Sequence, residues 1–254
     1  MSLNIHIAAA TDRGQVRTQN QDFHAYQVPH QGCLHPKGIL LAVADGMGGY
    51  AGGQQASRLA VDTLMCTYYS RPEALIQESL EQAVLEANTA VLDRAATEPA
   101  LHGMGTTLTA LVLQENVVCY AHVGDTRGYL IQAGEITQFT QDHSLVADLV
   151  RAGIVMPQDA GKHPDRNIIT KAVGVQPVLD IEIAILPGGL RAGQFYLLCC
   201  DGLHGQVSAD EIKSVLQGED NLEAACRRLV NLANARGGPD NITVLVAKVN
   251  KSEQ

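Results

Sequence analysis

The stretch that decides the fold runs from Ile39 to Gly53 and reads Ile-Leu-Leu-Ala-Val-Ala-Asp-Gly-Met-Gly-Gly-Tyr-Ala-Gly-Gly. Its six leading apolar residues predict a buried strand that stops at the carboxylate of Asp45. Five glycines follow within eight residues, and a helical pattern begins at Gln54. Glycine lets a backbone approach a bound ion or phosphate closely. An acid at the end of a rigid strand, beside bare backbone, therefore suits a cation-binding site.

A second interpretation of the same stretch is a dinucleotide site, because residues 46–51 fit the pattern G-x-G-x-x-A between a strand and a helix. That fingerprint needs a second parallel strand with an acid at its end, about 20 residues further on. Here the helix predicted over 54–69 is followed by Ser70-Arg71-Pro72 and by a second helix. No βαβ unit closes, and the match is interpreted as accidental.

Length and composition limit the possible functions. The 254 residues suffice for one sizeable core, and no linker-like stretch divides them. A formal charge of −9 argues against nucleic acid or an anionic membrane as a partner. The first residues lack a signal-peptide pattern and the longest apolar runs have the length of a strand, so we expect a cytoplasmic protein that does not span a membrane.

The six cysteines form no C-x-x-C pair. Cys119, Cys199 and Cys200 lie in apolar strands, which is typical of reduced core thiols in a cytosolic protein. The segment from His30 to His35 superficially resembles a zinc cluster. It lies in a Pro/Gly loop with no fourth ligand nearby, so an ordinary solvated loop is favoured.

Apolar periodicity predicts strands in series and helices in two pairs. Short turns between neighbouring strands imply antiparallel pairing, and helices packed outside antiparallel sheets define an α+β class. Ser144 and Ser208 are expected to cap helices. The predicted strands are 5–9, 23–28, 39–44, 106–114, 117–123, 128–132, 136–139, 179–186, 194–200 and 242–249.

Four carboxylates stand where predicted strands begin or end. Asp45, Asp125 and Asp201 follow apolar strands, directly or after one glycine, and Asp240 precedes the last strand. If these ends share one edge, the cluster needs divalent cations to offset its repulsion, and oxygen ligands favour Mg²⁺ or Mn²⁺ over Zn²⁺. Two such ions about 4 Å apart can activate a shared water. The alternative is that each Asp caps a turn by itself, and spacing alone does not decide between them.

Seven motifs occur in an order that resembles the metal-dependent Ser/Thr protein phosphatases, the type 2C or PPM family, in its compact bacterial form. The resemblance spans roughly residues 8–249. The motifs are Arg17…Gln21-Asp22, Val43-Ala-Asp45-Gly46-Met-Gly-Gly49, Met104-Gly-Thr106-Thr107, His122-Val-Gly-Asp125-Thr-Arg127, Asp142-His143, Cys200-Asp201-Gly202 and Gly238-Pro-Asp240-Asn241.

The resemblance implies one catalytic domain over residues 1–254, folded as a four-layer α-β-β-α sandwich whose two central antiparallel sheets carry a binuclear metal site at one edge. It implies that Asp45 bridges two Mn²⁺ or Mg²⁺ ions. The carbonyl of Gly46 would bind one of these ions, and Asp201 and Asp240 would complete the other.

The resemblance assigns roles to three further residues. Asp22 would act through metal-bound water, Asp125 would hold a weaker third ion together with Asp201, and Arg17 would bind the substrate phosphate, which suits guanidinium geometry. A flap beside the active site corresponds to about 153–177, and we expect it to influence substrate choice.

Two positions depart from the family pattern. Met47 stands where eukaryotic members often have a His proposed as general acid, and Tyr50 stands where some bacterial relatives have a His. Protonation of the leaving alkoxide is therefore expected to come from elsewhere.

The sequence as a whole predicts a bacterial phosphatase that hydrolyses phosphoserine and phosphothreonine by direct attack of a metal-activated water, without a phosphoenzyme. Expected partners are phosphorylated proteins and a cognate Ser/Thr kinase, with no nucleic acid or membrane, and the protein is expected to be a monomer. The competing hypothesis is a catalytically silent phosphoprotein-binding module on the same fold. Intact Asp45, Asp201 and Asp240 argue against it.

Overall fold

Two antiparallel sheets carry the strands of the computed structural model, which describes residues 3–29, 37–70 and 75–252, the side chains at 50 and 51 excepted. The segment from His30 to His35, predicted to be a solvated loop, lies outside these residues. The strands are β1 (Leu3–Asp12), β2 (Asp22–Gln27), β3 (Ile39–Met47), β4 (Gly105–Thr106), β5 (Leu108–Gln114), β6 (Val117–Val123), β7 (Arg127–Gln132), β8 (Glu135–Gln138), β9 (Glu182–Leu186), β10 (Phe195–Cys199) and β11 (Ile242–Lys251).

One sheet has the strand order β1-β11-β10-β7-β8, and the other has β2-β3-β5-β6-β9 with β4 paired to β3. Two short 3-10 turns cover Pro99–Leu101 and Pro157–Lys162. None of the helices in the described ranges is both long and apolar enough to cross a bilayer. The helices are α1 (Gly49–Tyr69), α2 (Ile76–Thr97), α3 (Leu145–Arg151), α4 (Asp201–His204), α5 (Ala209–Gly218) and α6 (Leu222–Ala235).

Alternation of side chains along the strands builds four layers. In β3, Leu41 and Val43 point between the two sheets, whereas Leu40 and Ala42 pack against α1 and α2. Strands β10 and β11 likewise send alternate residues to the inter-sheet core and to a third core with α5 and α6. Successive strand residues face opposite sides of a sheet, so the apolar runs fill two cores at once. The predicted α-β-β-α sandwich is confirmed.

Local capping signals are also confirmed. The Ser208 hydroxyl accepts from the Glu211 backbone N–H while the Glu211 carboxylate accepts from Ser208, which completes a capping box on α5. Ser144 caps α3 by accepting from the Ala147 N–H. Cys119, Cys199 and Cys200 are buried free thiols, as predicted.

The boundaries around residues 39–53 differ from the prediction. Strand β3 continues past Asp45 to Met47, because Gly46 and Met47 pair with Thr106 and Gly105 of β4. Helix α1 begins at Gly49 rather than at Gln54, after Gly48 adopts a left-handed φ of 118°. Because glycine is a poor helix former, we attribute the early start of α1 to tertiary contacts that override the low helix propensity of these residues.

Three further predicted strands are shorter or divided in the structure. The strand predicted over 179–186 is ordered as β9 only from Glu182. The strand predicted over 106–114 is divided at Thr107, where the Asp45 backbone N–H donates to the Thr107 hydroxyl. The strand before Asp201 ends at Cys199, and Asp201 opens the short helix α4.

Candidate metal centre

One edge of the sandwich brings four carboxylates together. Asp45, Asp125, Asp201 and Asp240 line a single cavity of about 580 Å³, and Arg17 lines it with them. The backbone of Gly46 is also part of its wall. Residues that are 195 positions apart in sequence, Asp45 and Asp240, thus meet at one site because β3 and the turn before β11 end at the same edge.

The backbone of Asp45 is held on both sides. Its N–H donates to Thr107 Oγ1 at 2.9 Å, and its carbonyl accepts from Thr106 Oγ1 at 2.9 Å and from the Thr107 N–H at 2.9 Å. Because the N–H and the carbonyl of Asp45 are both hydrogen-bonded, its backbone is fixed while its side chain lines the cavity.

Asp22 lies directly opposite Asp45 in the register of β2 and β3. It is buried and is not part of the cavity wall. Neither of its carboxylate oxygens has a hydrogen-bond partner among the described residues, and the same holds for Asp201 Oδ1. Burial, and then the charges of Asp201 and Asp240, raise the pKa of Asp22 to about 7.

Burial and mutual repulsion raise the pKa of the other carboxyls too. The pKa of Asp45 is well above its usual range, that of Asp125 rises to about 7 and that of Asp201 to about 6, in each case mainly through burial and then through neighbouring carboxylates. Unpartnered buried oxygens are costly. Divalent cations offset both the repulsion between the carboxylates and the cost of burying unpartnered oxygens. A donor set made of carboxylates and a carbonyl fits Mg²⁺ or Mn²⁺ rather than Zn²⁺.

Arg17 comes to the cavity on a loop anchored by Asn241. The Asn241 side chain accepts from the Gln21 N–H at 2.8 Å and donates to the carbonyls of Arg13 (2.9 Å) and Gln19 (2.8 Å). Arg17 Nη2 then donates to Asp240 Oδ2 at 2.7 Å, with just over half of its side chain exposed. This bond and the charge of Asp240 raise the pKa of Arg17.

Two histidines hold the peptide that carries Asp125. Gly124, at φ +110°, donates its N–H to His143 Nδ1 at 3.2 Å, and His204 Nε2 donates to the Asp125 carbonyl at 3.0 Å. Burial lowers the pKa of His143 to about 4 and that of His204 to about 3, so both are neutral imidazoles. Sequence reasoning missed His204. Its signal is its position three residues after Asp201, on the same helix face.

A second group of metal-ligating side chains has its ligand atoms within 4.8 Å of one another and is not part of the cavity wall; it consists of His122, His143 and Glu182. Its atoms are already engaged: His122 meets Thr109 Oγ1 at 2.8 Å and the Gln141 carbonyl at 3.1 Å, and Glu182 Oε2 accepts from the Gln141 N–H at 2.9 Å. The two imidazole rings stack rather than converge. We interpret the group as a hydrogen-bonded core network.

Comparisons with known proteins identify the family of this chain. A family model described as Protein phosphatase 2C matches residues 11–245. The chain belongs to the protein phosphatase 2C family, the metal-dependent serine/threonine phosphatases.

Particular relatives are bacterial. The serine/threonine protein phosphatase PstP of Mycobacterium tuberculosis is 40% identical over 252 residues, covering 98% of this chain. The chain spans only about half of that relative's length, 46%. The serine/threonine phosphatase stp of Listeria monocytogenes EGD-e is 35% identical over 250 residues, with 96% of each chain covered.

Solved structures agree with the fold. A crystal structure of the M. tuberculosis phosphatase PstP/Ppp superposes with a TM-score of 0.86 at 38% identity, covering 97% of this chain and 99% of that one. A structure of the PstP catalytic domain in complex with two manganese ions gives a TM-score of 0.83 at 38% identity, covering 98% and 100%.

Proposed function

We propose that this chain is a Mn²⁺- or Mg²⁺-dependent phosphatase that hydrolyses phosphoserine and phosphothreonine in proteins. The observation that carries the proposal is the convergence of Asp45, Asp201 and Asp240 beside the guanidinium of Arg17 in one open cavity. The names of the relatives and the two manganese ions of the PstP structure support it.

In this proposal Asp45 would be a ligand common to two ions, the Gly46 carbonyl would bind one of them, and Asp201 and Asp240 would bind the other. All four line the cavity, which supports their assignment. Bound there, such ions supply charge neutralisation at the phosphate and a water of low pKa that can attack phosphorus near neutral pH.

Asp125 and Asp22 have supporting roles in the proposal. Asp125 holds a weaker third ion together with Asp201, consistent with its place on the cavity wall. Asp22 acts through water, consistent with its position opposite Asp45 and with its two unpartnered oxygens.

Arg17 orients the substrate phosphate. Among the residues that the structure describes, one of its five N–H groups is bonded, to Asp240. The remaining donors can form charge-assisted hydrogen bonds to phosphate oxygens. If Asp240 serves as a metal ligand, the Arg17 guanidinium would direct its donors to the phosphate.

Direct hydrolysis without a covalent intermediate belongs to the same proposal, in which the aspartates of the cavity wall would hold ions rather than act as nucleophiles. In ¹⁸O-labelled water, one labelled oxygen in each released phosphate would show that water attacks phosphorus, and trapping of labelled protein then separates direct attack from a phosphoenzyme. Quenched protein should carry no ³²P from a labelled substrate. A stable phosphoenzyme would contradict this part of the proposal.

The wider setting belongs to the same proposal. We infer one catalytic unit over residues 1–254, with 153–177 as its flap, acting as a monomer in the cytoplasm against a cognate Ser/Thr kinase. The formal charge of −9 supports protein rather than nucleic-acid partners.

The decisive experiment is phosphate release from a phosphothreonine peptide after dialysis against chelator. Activity should return with Mn²⁺ or Mg²⁺ and not with Zn²⁺ alone. A silent phosphoprotein-binding module would bind the peptide and release no phosphate. Full activity in excess chelator would overturn the metal-dependent mechanism.

A further inference from the structure

A second cavity, of about 340 Å³, adjoins the candidate metal centre. Met47 and Ile169 line both cavities, so the space around the carboxylates continues past these two side chains. We call this second cavity the apolar groove and define it by Met47, Ile169, Val175, Val178 and Leu179.

The groove presents apolar side chains to solvent. Val175 is 52% exposed and Val178 is 85% exposed. Its charged members, Lys171 and Asp180, form an ion pair with each other, so the rim offers little net charge. Contiguous exposed apolar side chains bordered by polar groups are typical of binding sites.

Hydrogen bonds to the rest of the fold hold the backbone of this groove in place. The buried side chain of Asn88 on α2 accepts from the Gly174 N–H at 2.7 Å and donates to the Gln176 carbonyl at 2.9 Å. Val173 exchanges two backbone hydrogen bonds with Thr106, at 2.8 and 3.0 Å. Val175 lies between Gly174 and Gln176, whose backbones these hydrogen bonds fix, and its side chain remains exposed to solvent.

We propose that the apolar groove is a subsite for one large aliphatic side chain of the substrate protein, close in sequence to the phosphorylated residue. The proposal rests on the proposed function. A phosphate bound between Arg17 and the carboxylates places an extended substrate segment across the cavity mouth, and one direction out of it passes Met47. Methionine adapts its shape to different apolar partners, and the cavity volume accommodates a Leu, Ile or Met side chain.

The test compares phosphothreonine peptides that carry Leu or Ser at one position, scanned over three residues on either side of the phosphothreonine. At one or two positions on one side, Leu should raise kcat/KM about five- to tenfold, mainly through KM, because half-burying such a side chain removes apolar surface from water. Asp at the same position should give no such gain.

Variants locate the effect. In Val178→Ser and Val175→Ser, the Leu/Ser ratio of kcat/KM should fall to within about twofold of unity. The matched control is Val28→Ser, which alters a valine of similar exposure at the end of β2 away from Asp22 and should keep the wild-type ratio. Because the readout is a ratio on one preparation, a smaller folded fraction leaves it unaltered.

Three results would overturn the subsite. They are equal rates on all Leu and Ser peptides, a preference for Asp over Leu, and a Leu preference that survives in both groove variants. In each of these the phosphothreonine is still hydrolysed and the proposed function stands. Absence of Mn²⁺-dependent release from every peptide would instead overturn the proposed function and the subsite with it.

Discussion

At the scale of single residues, Asp45 lies among four other carboxylates. Its buried carboxyl feels the charges of Asp22, Asp201, Asp125 and Asp240, which together with burial raise its pKa. A group in such surroundings is either protonated or bound to a cation. This gives Asp45 the largest expected effect of any single substitution.

Asp45→Asn should lower turnover of a phosphothreonine peptide by orders of magnitude while the fold survives, because the amide retains the shape and removes a ligand charge. Metal binding by calorimetry should weaken in parallel. The control is Asp62→Asn on α1, an exposed carboxylate that pairs with Arg58. Hydrolysis by Asp45→Asn near the wild-type rate would contradict the metal assignment.

Arg17→Ala should raise KM more than it lowers kcat, since a guanidinium that binds ground state and transition state alike contributes uniform binding. Steady-state kinetics on one phosphopeptide measure both quantities. Arg94→Ala, which removes another exposed arginine that pairs with Glu98 and is not part of the cavity wall, is the control. An unchanged KM would mean that Arg17 serves only to pair with Asp240.

At the scale of elements, the site depends on a close contact between the end of β3 and the start of α1. A Cβ added to Gly46 would lie 2.0 Å from the Gly53 carbonyl oxygen and 2.8 Å from that of Gln21. Only glycine permits this approach, and the approach is what sets the first turn of α1 beside Asp45.

Gly46→Ala should therefore destabilise the domain by roughly 1–3 kcal/mol or more, as overpacking against fixed backbone does. Urea unfolding in chelator measures this separately from metal loss. Gly218→Ala is the control, because nothing lies within 4 Å of the added Cβ at the end of α5. Equal stability of the two variants would show that the β3–α1 contact can relax.

Local patterns in the sequence predicted most elements, because alternation and capping are properties of neighbouring residues. The capping box at Ser208 and strand β6 are examples. The helix start at Gly49 could not be predicted, since it depends on packing against β3. The same limit applies to the site: the Asp-Gly pairs were visible in sequence, but the placement of His204 under Asp125 is a tertiary contact.

At the scale of the whole molecule, buried carboxyls and buried histidines change the free energy of unfolding in opposite directions as the pH changes. Asp22, Asp125 and Asp201 have raised pKa values, so the folded state binds more protons there and their contribution to stability is lost as the pH rises from about 4 to about 7. His122 and His143 have lowered pKa values, so they destabilise the fold as the pH falls below about 6.5.

A substitution at Asp22 separates the contribution of the carboxyls to the pH dependence of stability from that of the histidines. In chelator, Asp22→Asn should be more stable than wild type, and the difference should widen by roughly 2–3 kcal/mol between pH 5 and pH 8, since one pKa unit corresponds to about 1.4 kcal/mol. The reason is that the wild-type carboxyl, whose pKa is about 7, must ionise in the fold over this range whereas the amide does not.

Urea unfolding at pH 5, 6, 7 and 8 measures this difference, with the histidine contribution common to both proteins. Saturating Mn²⁺ should remove or reverse the difference, because an ion that binds only the folded state stabilises the ionised site. A gap between variant and wild type that stays constant from pH 5 to 8 would show that Asp22 keeps its ordinary pKa in the fold. Its unpartnered oxygens would then have to be satisfied by water, and the carboxylate cluster would exert less strain on the metal-free domain than the geometry indicates.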